Sequence, residues 1–461
     1  IKSIQLSDHF FERLKKVIFG NQNLFMEVFL IKAFQLILSL SILVVLHELG
    51  HFIPAKLFGT RVEKFYLFFD WPFSLFKKKI GDTEYGVGLL PLGGYVKIAG
   101  MVDESFDTEQ LKNEPHDWEF RSKPTWQRLI IMLGGVIVNF ILGFLIYMMI
   151  TFVWGKTIVT YDDLNSGFKV SETMKEIGFQ DGDKILKIDG SEVENQLEIP
   201  MMMVSRDVSK VEVLHDDGSR DLIDIPGDIG LKIIASSESP FTPLPNFQVD
   251  SIVSLSPSSS SNIMLGDIIN KANGSKIYTF EDLEEAKKIN VDYVELELIR
   301  DGNILTTVIP FSSEDKKIGI YPRYSLEGTT LNYGFFESIS KGAETAYYTL
   351  TDYVNQMKYL ASAEGASQLG GFGTIGNIFP AKWDWKRFWE MTAFLSIILG
   401  FMNVLPIPAL DGGHTMFLLY EMITGRKPND KFMEYATMIG VFLLLGLVLY
   451  ANGMDIFRAF S

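Results

Sequence analysis

Apolar residues gather into four long runs, near 28–55, 129–153, 390–407 and 434–452, separated by stretches in which polar and apolar positions mix over shorter distances. Crossing about 30 Å of hydrocarbon takes roughly 20 helical residues, so each run predicts a transmembrane helix. The first, Val28 to Leu46, carries Lys32 as its one charge, near an end where a long side chain can snorkel, and continues into His47-Glu48-Leu49-Gly50-His51. The third, Met391 to Leu405, stops at Pro406 and Pro408, which cannot continue a helical ladder. The expected fold class is a multi-pass α-helical membrane protein with four spans and an inserted β-rich region.

Lys and Arg near the span ends set the orientation. Lys56, Arg61, Lys64, Lys77, Lys78, Lys79, Arg121, Lys123 and Arg128 lie between the first two spans, and Arg426, Lys427 and Lys431 between the last two. Both loops therefore read as cytoplasmic. The long segment between spans two and three has an acidic excess and reads as the translocated part. The first run is a full span with the wrong flanks for a cleaved leader.

Within the long segment, Gly182-Asp183 to Asp189-Gly190 matches Gly266-Asp267 to Asn273-Gly274 at an offset of 84 residues. The same offset links Asp217-Gly218 to Asp301-Gly302 and Ile225-Pro226 to Ile309-Pro310, so a domain is duplicated. Asp-Gly turns between strand-like runs such as Tyr293–Arg300 and Asn303–Ile309 predict hairpins. Residues 334–362, apolar every three or four positions, predict an amphipathic helix along the membrane surface or packed on the outer domain. The expected division is a segment 1–25 without assigned function, a first span 26–55, a cytoplasmic segment 56–128, a second span 129–154, repeats 160–235 and 236–325, a connector 330–388, a third span with its motif 389–415, and a fourth span 432–456.

Composition narrows the chemistry. The chain has 461 residues and a formal charge of −15 without a basic stripe, which argues against nucleic acid as a partner. Cys is absent, so thiol nucleophiles, iron–sulfur clusters and Cys-based zinc sites are excluded, and any metal must use His and carboxylate. His47 and His51 stand at i and i+4 on one helix face, where both reach one Zn²⁺, with Glu48 beside them for the attacking water. A catalytic zinc usually has three protein ligands and one open position. His9, His116 and His215 are badly placed, which leaves His414 or a carboxylate. Asp411 is the best carboxylate, because it follows the third span at the depth where the first span ends, and a cation offsets the cost of an acid there.

A first span ending in His-Glu-x-x-His and a third followed by Asn403-x-x-Pro406-x-Pro408-x-Leu410-Asp411-Gly412-Gly413 resemble the site-2 protease family, in particular its bacterial regulator-of-sigma-E type. The repeats resemble PDZ domains in circularly permuted order, and the likeness covers about 26–456. The resemblance implies that His47, His51 and Asp411 bind zinc and that Glu48 is the catalytic acid/base. It also implies substrate contacts at Asn403, Pro406 and Pro408, at Gly93 and Gly94 in a re-entrant β-hairpin near 84–97, and at Asn139, although Val136 stands where the family usually has Pro.

The expected reaction is hydrolysis of a peptide bond in or near the transmembrane segment of a single-pass protein after a first cut on the outer side. Anti-sigma-factor-like proteins and remnant signal peptides are the substrates implied. The setting is a bacterial inner membrane, with the PDZ-like region periplasmic, the active site near the cytoplasm, and peptide termini as ligands of the PDZ-like copies. The alternative is an inactive membrane-anchored PDZ scaffold, against which Glu48 argues, since a structural zinc needs no general base.

Overall fold

The computed structural model describes residues 2–101, 114–164, 166–311, 316–326 and 328–460, with side chains from Met26 onward except those of Leu92 and Asp430. It divides into two compact units. One comprises Ile1–Trp154, Asn332–Tyr353 and Ser367–Ser461; the other comprises Gly155–Leu331 and Val354–Ala366.

The long helices of the first unit among the described residues are α1 (Lys2–Leu57), α2 (Thr125–Trp154), α3 (Phe335–Gln356), α4 (Trp385–Val404), α5 (Asp411–Thr424) and α6 (Asp430–Phe460). Among the described residues three helical stretches are long and apolar enough to cross a membrane: Met26–Leu57, Thr125–Trp154 and Lys431–Phe460. The expected third span is the 20-residue α4. It is not one of the three, because Lys386, Arg387 and Glu390 occupy its first turns; Asp384 caps it by accepting from the Arg387 amide at 3.0 Å.

Small residues let these helices approach closely. A Cβ on Gly50 of α1 would overlap the backbone of Gly134 and Gly135 on α2. Gly143 of α2 lies under Ile397 of α4, and Ser396 of α4 donates to the Asn139 carbonyl at 2.7 Å. Polar interhelical bonds of this kind satisfy side chains that lipid could not. The amphipathic helix of the sequence is α3. It packs on α2: Gly342 abuts Met148, Thr349 donates to Tyr147 at 3.2 Å, and Ala346 and Leu350 join the core around Ile146 and Ile150.

Between α1 and α2 lie two long strands, β1 (Val62–Ile80) and β2 (Thr83–Ile98). The expected simple hairpin over 84–97 is a folded meander instead. Residues 64–67 pair on one side with 94–97 and on the other with 84–87, and 84–88 pair in turn with 74–79. The 94–98 stretch is thereby left as an outer edge.

The second unit contains two separate hydrophobic cores, one from Val159 to Phe241 and one from Phe247 to Ile320. The duplication is visible strand by strand. Lys184–Ile188 and Ser191–Glu192 correspond to Ile268–Ala272 and Ser275–Lys276 at the 84-residue offset, each hairpin turning on two positive-φ residues, Asp189-Gly190 and Asn273-Gly274. Those are the backbone angles a tight two-residue hairpin requires. Each copy buries an Asp at the head of this strand. Asp183 accepts from the Gln180 amide and Asp267 from the Met264 amide, both at 2.8 Å. His215 faces Asp183 at 2.6 Å and Arg300 donates to Asp267 at 2.7 Å. Burial pushes the Asp183 carboxyl up, and the Gln180 amide and His215 oppose it. The copies differ at their rims: the short pair Phe168–Val170 and Phe241–Pro243 in the first, and a six-residue edge strand, Ile320–Ser325, in the second.

Candidate metal centre and active site

The site is assembled from α1, α2, α5 and the edge of β2. His47 and His51, one helical turn apart on α1, present Nε2 atoms 3.2 Å from each other. Asp411 Oδ2 lies 3.4 Å from His47 Nε2 and 3.3 Å from His51 Nε2. A tetrahedral zinc with bonds of about 2.0–2.1 Å spaces its ligands about 3.3–3.4 Å apart, so the three atoms already stand at the spacing of one face of such a shell. Asp411 Oδ2 is buried with no hydrogen-bond partner among the described residues. An orphaned carboxylate oxygen aimed at two imidazole nitrogens is an unfavourable arrangement without a cation, and the residues present fit the metal.

Local structure explains how Asp411 arrives there. After α4 ends, the chain makes a tight turn in which the Leu410 amide donates to the Ile407 carbonyl at 2.9 Å and Ala409 takes φ 103°. That strain in a non-glycine residue is held by what surrounds it. α5 then starts at Asp411 itself, and the partial positive charge of a helix N-terminus favours a carboxylate in its first turn. A Cβ on Gly412 would strike the Val404 and Leu405 carbonyls, and one on Gly413 the Ile407 carbonyl. The glycine pair lets the helix seat against the turn.

The imidazoles are oriented from behind. The Ile131 carbonyl lies 2.8 Å from His51 Nδ1, which fixes the proton there and frees Nε2 for the ion. Asn139 is fully buried, and its carboxamide lies 3.0 Å from His47 Nδ1 while its Oδ1 has no partner. With the carboxamide turned over, Oδ1 accepts from His47 Nδ1–H, and both histidines then present Nε2. Replacing Asn139 by Ala is expected to weaken zinc binding by about 10- to 100-fold, read by competition with a chelator. Unchanged affinity would detach Asn139 from His47. Gly135 lies so close that a Cβ would meet both imidazoles, which accounts for glycine there.

One cavity of about 530 Å³ contains His47, Glu48, His51, Asp411, Asn403 and Gly94 on its wall, with His414 and Val96 beside them. Gly93, Pro406 and Pro408 neighbour these wall residues without lining the cavity themselves. His116 is stacked on Trp118 and His215 is committed to Asp183, so neither is a ligand here; the His9 side chain lies outside the described residues. The sequence reading missed a polar cluster that also lines the cavity: Lys64 donates to Asp70 at 3.0 Å and to the Tyr95 hydroxyl at 3.3 Å. Nothing in the spacing of those three residues signals it, because β1 and β2 bring them together.

The family model for peptidase family M50 matches residues 35–447. The regulator of sigma E protease of Haemophilus influenzae is 27% identical over 445 residues, covering 92% of this chain and 98% of its own. The metalloprotease MmpA of Caulobacter vibrioides is 27% identical over 449 residues, covering 93% and 96%. With a helix-borne His-Glu-x-x-His, a carboxylate at zinc spacing from both histidines and a family match across most of its length, the chain belongs to peptidase family M50, the site-2 proteases, and is a membrane-embedded zinc metalloendopeptidase.

Proposed function

We propose that this protease hydrolyses a peptide bond in or near the transmembrane segment of single-pass membrane proteins, anti-sigma-factor-like proteins or remnant signal peptides, after another protease has removed their outer part. The observation that carries the reading is an outer strand edge bordering the same cavity as the ligand set: Gly94, Val96 and Ile98 of β2 line it together with His47, Glu48 and Asp411. A peptide bond in a membrane helix is shielded by its own hydrogen bonds and by lipid. An unwound segment must find new partners, and an exposed strand edge supplies them by β-augmentation.

In this reading α4 is a fourth span, both cytoplasmic loops carry the basic residues named above, and the active site lies near the cytoplasmic face. Asn403 receives backbone groups freed by unwinding. Gly93, Gly94, Pro406 and Pro408 shape the strand edge and the turn against which the substrate lies. Asn139 acts through His47, as a positioning residue. Zinc, when bound, supplies Lewis-acid chemistry at the scissile carbonyl and an acidified water. Glu48 takes a proton from the attacking water and delivers it to the departing amine nitrogen, so that one water is consumed and a carboxylate and an amine are formed.

The repeats at 160–235 and 236–325 act as PDZ-like domains on the periplasmic side of the inner membrane, binding peptide termini or excluding bulky ectodomains. The test follows a tagged single-pass substrate in cells, with and without its outer domain. Cleavage is expected only after trimming, and deleting residues 160–325 is expected to let the untrimmed form be cut. Equal cleavage of both forms by the intact protease would sink the exclusion role while leaving the hydrolytic reading in place.

A further inference from the structure

A second cavity of about 530 Å³ lies in the first unit, outside the ligand set, where α2 and α6 begin. Four cations line it: Arg121, Arg128, Lys427 and Lys431. Arg128 is held by Glu421 at 2.6 Å and Arg121 by Glu119 at 2.5 Å, so these two are largely neutralised. Lys427 and Lys431 have no carboxylate within ion-pairing distance among the described residues, although Glu434 also lines the wall. With those two pairs set aside, Lys427 and Lys431 against Glu434 leave an excess of +1 among the described residues of the wall, in a chain whose net charge is −15. The remaining wall is mostly apolar, with Phe120, Phe417 and Leu418 prominent beside His414 and Thr437. Lys431 opens the apolar stretch Lys431–Phe460, and Arg128 lies in the first turn of Thr125–Trp154. The cavity therefore lies where hydrocarbon gives way to lipid headgroups.

We propose that this cavity binds the headgroup of an anionic phospholipid, with Lys427 and Lys431 on its phosphate and the apolar wall against its glycerol and first methylenes. The inference rests on α2 and α6 crossing the bilayer. Paired lysines at a membrane face attract anionic lipid, and an apolar wall beside them distinguishes a lipid from a small anion. The position has a consequence for catalysis, because Met101 and His414 line this cavity and the catalytic one alike. A bound lipid would stiffen the partition that His414 shares with the zinc site.

The test uses the full chain in neutral detergent, titrated with phosphatidylglycerol or phosphatidylcholine of matched acyl chains, with bound lipid counted by native mass spectrometry. Phosphatidylglycerol is expected to bind at least roughly tenfold tighter than phosphatidylcholine. The double variant Lys427→Ala, Lys431→Ala is expected to bind it about 25-fold more weakly, about fivefold per lysine, with zinc content unchanged. Equal binding of the two lipids, or binding that ignores the lysines, overturns the proposal. Displacement of the lipid by an equal concentration of inorganic phosphate also overturns it, in favour of a soluble anion. The segment 102–113 carries Asp103, Glu104, Asp107 and Glu109. If phosphatidylglycerol binds only after these four are replaced by Asn or Gln, the chain's own acids are the occupant and the lipid is not.

Discussion

Glu48→Gln is expected to lower the rate of substrate cleavage by about 10²- to 10⁴-fold, the usual contribution of a positioned general acid–base, while the protein keeps its zinc. Gln has nearly the shape of Glu and leaves His47, His51 and Asp411 in place, so the ligand set that holds the metal is unaltered. What it loses is the ability to take a proton from water and return it to the amine. The two readouts must therefore separate: hydrolysis of a trimmed single-pass substrate in proteoliposomes collapses, and metal content by mass spectrometry stays at the wild-type level. Loss of both would mean that Glu48 supports the fold of the site. Cleavage within a few-fold of wild type would remove Glu48 as the proton carrier and turn attention to Lys64 and Tyr95 of the same cavity.

The His-Glu-x-x-His run could be read directly because helix geometry alone puts positions i and i+4 on one face. The duplication was equally legible: the same 84-residue offset that aligns Gly182-Asp183 with Gly266-Asp267 aligns the strands and the buried acids in three dimensions. The closeness of Asp411 to the two histidines was foreshadowed for a different reason, since an acid directly after an apolar helix is costly without a cation beside it. The meander of β1 and β2 was not legible. Val62–Ile80 mixes apolar residues with Glu63, Lys64, Asp70 and Lys77 to Lys79, and which of its residues pair with 84–87 and which with 94–97 is decided by tertiary contacts. Helix α5 was hidden as well, since Gly412-Gly413 in a first turn costs about 1 kcal/mol per glycine in helix propensity and reads as a loop. The penalty is accepted because only glycine fits against the Val404, Leu405 and Ile407 carbonyls. Helix α3 shows the limit of an amphipathic pattern. The stripe says that one face is buried, and only the structure says that the face meets α2.

The second large effect is expected at Asp411. Structural zinc sites bind with about 10–16 kcal/mol shared among four ligands, or about 2.5–4 kcal/mol each, so loss of one ligand corresponds to a roughly 10²- to 10³-fold fall in affinity. Asp411→Ala should behave in this way, because it removes the oxygen that stands 3.3–3.4 Å from both Nε2 atoms and leaves only a two-histidine site. His414→Ala is the matched control. His414 lies on the same cavity wall but outside the group whose donor atoms all fall within 4.8 Å of one another, so its removal should leave zinc affinity within a few-fold of wild type. The pair of variants decides between the two ligands that the sequence left open. Chelator titration of the wild type, both single variants and the double variant gives the ordering. If Asp411→Ala retains full zinc at wild-type affinity and the double variant loses it, His414 is the third ligand and the first turn of α5 holds the metal through its imidazole instead.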